Sequence, residues 1–164
     1  MPDNYVVSID KAVTRWNNAL GREFLVINRE VFPAPLPIER GVIHFSYADL
    51  EDASEDYRKL GEARRNVSRS TGEVRSVLIT LDVDISERYM VSTVVHELGH
   101  ALGLRHDESS PRSIMYPTMW DRNQIIFEED VEAVRAQLPI EELEEIRVEV
   151  DLTLACYEQD FLLQ

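Results

Sequence analysis

A single cysteine, Cys156, among 164 residues rules out an internal disulfide, so stability has to come from packing or from bound metal. Long apolar runs are missing as well. The longest are short pieces such as residues 24–27, far below the roughly 18 residues that a membrane-crossing helix needs. Basic residues are scarce: 17 Lys and Arg stand against 31 Asp and Glu, a formal charge of −14. Such a surface repels phosphate backbones and anionic lipid, which argues against nucleic acid and membrane as partners. The excess of acid leaves two readings, an attraction for cationic substrates or a solubilising surface. The opening Met1-Pro2-Asp3-Asn4 carries neither the basic nor the apolar stretch of a secretory signal. The compartment therefore stays open between the cytoplasm and a mature secreted form whose leader has been removed.

What is present is a mixture of helical and strand periodicities. Ile9, Ala12, Val13, Trp16 and Leu20 share one helical face, with Ser8 suited to the N-cap and Gly21 to the position after the helix. Residues 24–27 read as a buried strand, and Pro33, Pro35 and Pro37 mark a connecting loop. Residues 41–47 resume strand character. Residues 49–72 are polar with both charges mixed, and read as a solvated excursion with a short helix near 52–60. Residues 74–83 are apolar and β-branched, a strand or a strand pair. Ser86 opens the longest helical pattern, which Gly103 ends, and residues 128–138 form a third helix that Pro139 stops. In the tail, Ile146, Val148, Val150, Leu152 and Leu154 alternate with polar residues, as in a half-buried strand. The length fits one domain, and the mixed pattern fits an α/β or α+β layer arrangement.

Chemistry concentrates in residues 96–106, His-Glu-Leu-Gly-His-Ala-Leu-Gly-Leu-Arg-His. His96 and His100, four apart on a helix, project from one face and can reach one Zn²⁺. Glu97, beside them, is placed to touch a water on that ion, as a general base must. Gly103 can adopt the positive φ that reverses the chain, and His106 can then swing back as the third ligand. Three protein ligands plus one vacant position make the open tetrahedral arrangement of hydrolytic zinc sites. The alternative is that these are ordinary histidines on an amphipathic helix. Three of the chain's four histidines within eleven residues, on a face that reads as buried, weigh against it.

The same residues resemble the extended zinc motif of the metzincins. Ser113-Ile114-Met115-Tyr116-Pro117 resembles their Met-turn, and Met-Tyr-Pro together with Ala-Leu-Gly-Leu is most similar to matrixins. The resemblance is specific over residues 91–117 and looser over residues 9–138. It implies an α+β, zincin-like fold: a twisted, mainly parallel mixed β-sheet packed on three helices, here with an extra C-terminal strand. It also implies one catalytic Zn²⁺ on His96, His100 and His106, Glu97 as general base, and Gly103, Met115 and Pro117 as structural support. Peptide or protein substrates would bind in extended form along an edge strand. A catalytic domain over 1–138 and an extension over 139–164, packed on the same domain, follow from where the likeness ends.

Several features depart from the matrixin pattern. Asp107 stands where serine is usual, Met119 where a pocket tyrosine is usual, and His44 is isolated, so no second structural zinc is expected. Calcium sites and oligomeric state cannot be read from these residues. A thiolate from Cys156 reaching the zinc is a further alternative. The main rival is a zinc-binding structural or interaction module without hydrolytic activity, and hydrolysis of a non-peptide amide is another.

Overall fold

The computed structural model describes residues 3–28, 41–50, 58–70, 74–118, 124–138 and 145–150. Helix α1 spans Asp3–Leu20, and strands β1 to β4 span Leu25–Asn28, Val42–Ala48, Gly61–Val67 and Val74–Asp82. Helices α2 and α3 span Glu87–Ala101 and Glu128–Gln137, and strand β5 spans Ile146–Val150. The strands form one sheet in the order β1-β5-β2-β4-β3. All pairings are parallel except β3 with β4, which is antiparallel. This is the α+β arrangement that the sequence implies, with three helices and a mainly parallel mixed sheet.

Strand alternation decides which face carries the core. Ile43 and Phe45 of β2 pair with Val77 and Ile79 of β4 and with Val148 and Val150 of β5. These six join Ile9, Trp16, Val94, Leu98, Ile114 and Val134 in one cluster of buried side chains. Since successive strand residues point to opposite faces, the register places one continuous apolar surface under the helices. Trp16, wholly buried, donates its indole N–H to the Val95 carbonyl at 2.8 Å and so ties α1 to the zinc-motif helix. On the opposite face, His44 Nδ1 lies 3.2 Å from Glu149 Oε2, both side chains buried, across the β2–β5 pairing.

Gly21 takes φ +73° where α1 ends, as its position after the helix predicts. Asn17 then closes the turn into β1: its Oδ1 accepts from the N–H groups of Phe24 and Leu25, and its Nδ2 donates to the Leu25 carbonyl. The start of α1 corrects the sequence reading. Ser8 is not the cap but an interior residue whose hydroxyl donates to the Asn4 carbonyl at 2.8 Å. The apolar stripe begins only at Tyr5, so periodicity alone hides the polar first turn.

A larger correction concerns residues 49–72. Within this stretch Gly61–Val67 is the edge strand β3, not a solvated excursion, and residues 58–60 are not helical; the rest of the short helix expected at 52–60 lies outside the described residues. An edge strand lying over one helix buries little on either face, so no apolar alternation announces it. The stretch at 74–83 forms a single strand, β4. In the tail, β5 occupies a place between β1 and β2, in the middle of the sheet rather than at its rim. Residues 33, 35 and 37, Met119, Cys156 and the expected strand beyond Val150 fall outside the described residues.

Candidate metal centre and active site

Helix α2 follows Ser86, which sits extended at φ −69° and ψ 142°, and ends at Leu102, after which Gly103 takes φ +108°. The reversal is fixed by backbone bonds from Leu104 N–H to the Gly99 carbonyl and from Gly103 N–H to the His100 carbonyl. The φ of +108° is what calls for glycine at residue 103; a Cβ there would also stand 2.6 Å from Gln137 Oε1, the end of an exposed side chain that can swing aside. The chain then returns past the helix end and brings His106 back to the two histidines of α2. Ring centroids of the three imidazoles lie 4.6, 4.8 and 5.2 Å apart.

The facing atoms are the Nε2 nitrogens. His106 Nε2 stands 3.3 Å from that of His96 and 3.2 Å from that of His100. Two ligands each about 2.0–2.1 Å from a tetrahedral zinc would be about 3.3 Å apart. The other ring nitrogens are already committed: His96 Nδ1 lies 2.6 Å from the Ile114 carbonyl and His100 Nδ1 lies 2.9 Å from the Leu104 carbonyl. A carbonyl can only accept, so each Nδ1 carries the proton and each Nε2 presents a lone pair. These two lone pairs meet the Nε2 of His106 at the spacing of ligands around a single cation, and the donor set therefore fits Zn²⁺. Among the described residues, this is the one group of three His, Cys, Asp or Glu side chains that could share an ion.

Burial prepares the same state. It pushes His96 down to about 4 and lowers His100 from its ordinary value, against the weaker opposing pull of their carbonyl partners. Both rings are thus neutral, the form a metal ligand must take, across the neutral range. Glu97 is pushed the other way, up to about 8, first by burial and with Glu62 adding to it, while Lys59 opposes. Its Oε2 is buried and has no hydrogen-bond partner among the described residues. A metal ion a few ångströms from that carboxyl would return it to the charged form.

Beneath the three histidines the loop after His106 is stitched in place. Asp107 N–H donates to the Met115 carbonyl, Met115 N–H donates to the Ser113 hydroxyl, and Ile114 and Ile125 bond across a short bridge. Gln124 is buried and donates to the Ser113 carbonyl at 2.9 Å. Met115, 1% exposed, lies directly against Gly99 between the two ligand turns of α2, where any Cβ would meet its sulfur. Tyr116 is half-buried and Pro117 exposed.

A sequence model of the matrixin peptidases matches residues 7–137. The chain belongs to the matrixins. No curated protein matches it closely in sequence. As a matrixin it falls among zinc metallopeptidases, and the histidine triad agrees with that family's zinc site. The match stops short of β5, although β5 lies inside the sheet.

Sequence reasoning missed the residues that β3 brings to this matrixin site. Gly61 lies so close to α2 that a Cβ would stand 2.9 Å from Glu97 Cγ and 3.1 Å from Thr93 Cγ2. Arg65 reaches the His100 carbonyl at 2.8 Å, placing a cation at the negative end of α2. Lys59 and Glu62 form an ion pair near Glu97. A glycine opening a run of mixed charge was the only available signal, and it reads equally well as a loop.

Proposed function

We propose that this matrixin is a zinc endopeptidase in which His96, His100 and His106 hold the ion and Glu97 is the general base. The observation that carries the reading is the buried Oε2 of Glu97, without a hydrogen-bond partner among the described residues, on the residue next to one of three imidazoles whose Nε2 nitrogens converge. Bound there, Zn²⁺ supplies a Lewis acid that acidifies water and polarises a peptide carbonyl. Glu97 takes the proton of the attacking water at its free carboxylate oxygen and delivers it to the amine nitrogen as the C–N bond breaks. The Ile114 and Leu104 carbonyls keep the His96 and His100 rings in the Nδ1–H tautomer. Met115 supports the ligand turns from below. Gly103 permits the return of His106, and Pro117 ends the turn.

The open edge of β3 is the surface along which an extended peptide would lie; among the described residues β3 pairs only with β4. The test is peptide cleavage by zinc-loaded protein, blocked by a chelator or a hydroxamate. Glu97→Ala should retain zinc and lose nearly all activity; a fully active variant would remove Glu97 from the role. A structural zinc module would show bound metal and no cleavage of any peptide in a diverse library. The buried carboxylate speaks for the enzyme, because a structural zinc has no use for one.

A further inference from the structure

The sign of charge on the strand beside the site is opposite to that of the molecule. Across residues 58–75 the chain carries six basic residues, Arg58, Lys59, Arg64, Arg65, Arg69 and Arg75, against two acids, in a protein of formal charge −14. The described part of this stretch is β3, the three residues on either side of it and the start of β4. Not every cation is available. Arg58 is taken up by Asp82 at 2.7 Å and Asp84 at 3.1 Å. Lys59 and Arg64 share a single carboxylate, that of Glu62, with Arg64 Nε 2.6 Å away. Arg65 is bonded to a carbonyl, which leaves its charge uncompensated. The result is an excess of positive charge along an open strand edge that begins at Gly61, against Glu97.

We propose that the ligand which adds to β3 is an acidic peptide segment, with Asp or Glu on the residues flanking the bond to be cleaved. The proposal rests on the peptidase reading above and names its substrate class. Successive residues of a strand face opposite sides, so Arg64 and Arg65 present a cation to each row of side chains on an added strand. Opposite charges paired across neighbouring strands attract, and like charges repel. A cationic peptide, which the whole-molecule charge would favour, meets repulsion at the one place where it has to pair. Arg64 is 74% exposed and so keeps most of its charge in reach of a ligand.

The experiment uses the full chain, zinc-loaded, with Glu97→Gln to stop turnover, and labelled peptides that share one core and carry Asp/Glu, Ser or Lys flanks. Fluorescence anisotropy should give about tenfold tighter binding of the acidic peptide than of the Ser peptide, as expected for two or three cross-strand charge pairs. That advantage should vanish between about 0.01 M and about 1 M salt, as the Debye length falls from about 30 Å to about 3 Å. Arg64→Gln should weaken the preference, Arg64→Glu should invert it, and Arg64→Lys should keep it. Equal binding of acidic and Lys peptides overturns the proposal, and so does tighter binding of a single-stranded oligonucleotide. Acidic-peptide binding that emerges only after Glu51, Asp52, Glu55 and Asp56 are neutralised would assign the strand to its own upstream segment and also overturn it. Cleavage by the active protein separates the two readings. Turnover without charge preference sinks this inference alone, whereas tight acidic binding with no turnover sinks the peptidase alone.

Discussion

The histidine triad and strand β5 are assembled over very different stretches of chain. His96, His100 and His106 come from one helix and its exit, and the turn that unites them is closed by bonds between near neighbours. Strand β5 joins the sheet through Leu25↔Ile146 and Val42↔Arg147, pairings that span most of the chain. A site of the first kind can lose one member and leave the fold standing. A strand of the second kind cannot be removed without separating β1 from β2 and opening the core at Val148 and Val150, neither of which is exposed at all. Strand β5 is thus an inner strand of the one sheet.

The strongest challenge to this contrast is to take β5 away. Deleting residues after Leu138 should abolish cooperative melting followed by circular dichroism. Val148→Asp, an unpaired charge at a site of 0% exposure, should reduce stability by about 3–5 kcal/mol. A truncated chain that melts cooperatively near the parent temperature would show the strand to be dispensable. It follows that loss of activity on truncation says nothing about Cys156, because the sheet would fail first.

Local changes should split activity, metal and fold apart. Glu97→Gln should lower kcat/KM by about 10²–10⁴-fold, the range for a positioned general base, with zinc content unchanged. His106→Ala should weaken zinc affinity by about a hundredfold or more, since even outer partners of ligands account for 10–100-fold. His106 is exposed, so the melting temperature of the metal-free protein should stay within a few degrees of the parent. Unfolding of the His106 variant would show that the site is not the separable unit described above.

Smaller effects sharpen the boundary between site and core. Gly99→Ala would drive a methyl group into Met115 and should reduce stability by about 1–3 kcal/mol, the usual range for overpacking, with weaker zinc binding measured by competition. The smallest effect concerns pH. Burial raises Glu97 to about 8, so the folded metal-free chain holds a proton there that the unfolded chain gives up near its ordinary value of 4.5. Stability then falls as pH rises between those two values. Glu97→Gln should relieve this, raising the melting temperature of metal-free protein by several degrees at pH near 8 and much less near 5, at about 2–4 °C per kcal/mol. An equal gain at both pH values would mean that the carboxyl charge is not the cause.

The amino-acid sequence by itself determined the histidine triad, because helical periodicity and one positive-φ glycine act over a few residues and bring His96, His100 and His106 together wherever the helix lies. It also determined the apolar faces of α1, α2, α3, β2 and β4, for the same reason of short-range period. Only the tertiary structure decided that β5 enters the middle of the sheet, that Gly61–Val67 is a strand, that Gly61, Lys59 and Glu62 stand beside Glu97, and that Arg65 reaches the His100 carbonyl. Strand partners are chosen by long-range pairing, which leaves no local mark in a charged edge segment. The raised carboxyl of Glu97 belongs to the same class, since burial is a property of the packed molecule and not of the residue.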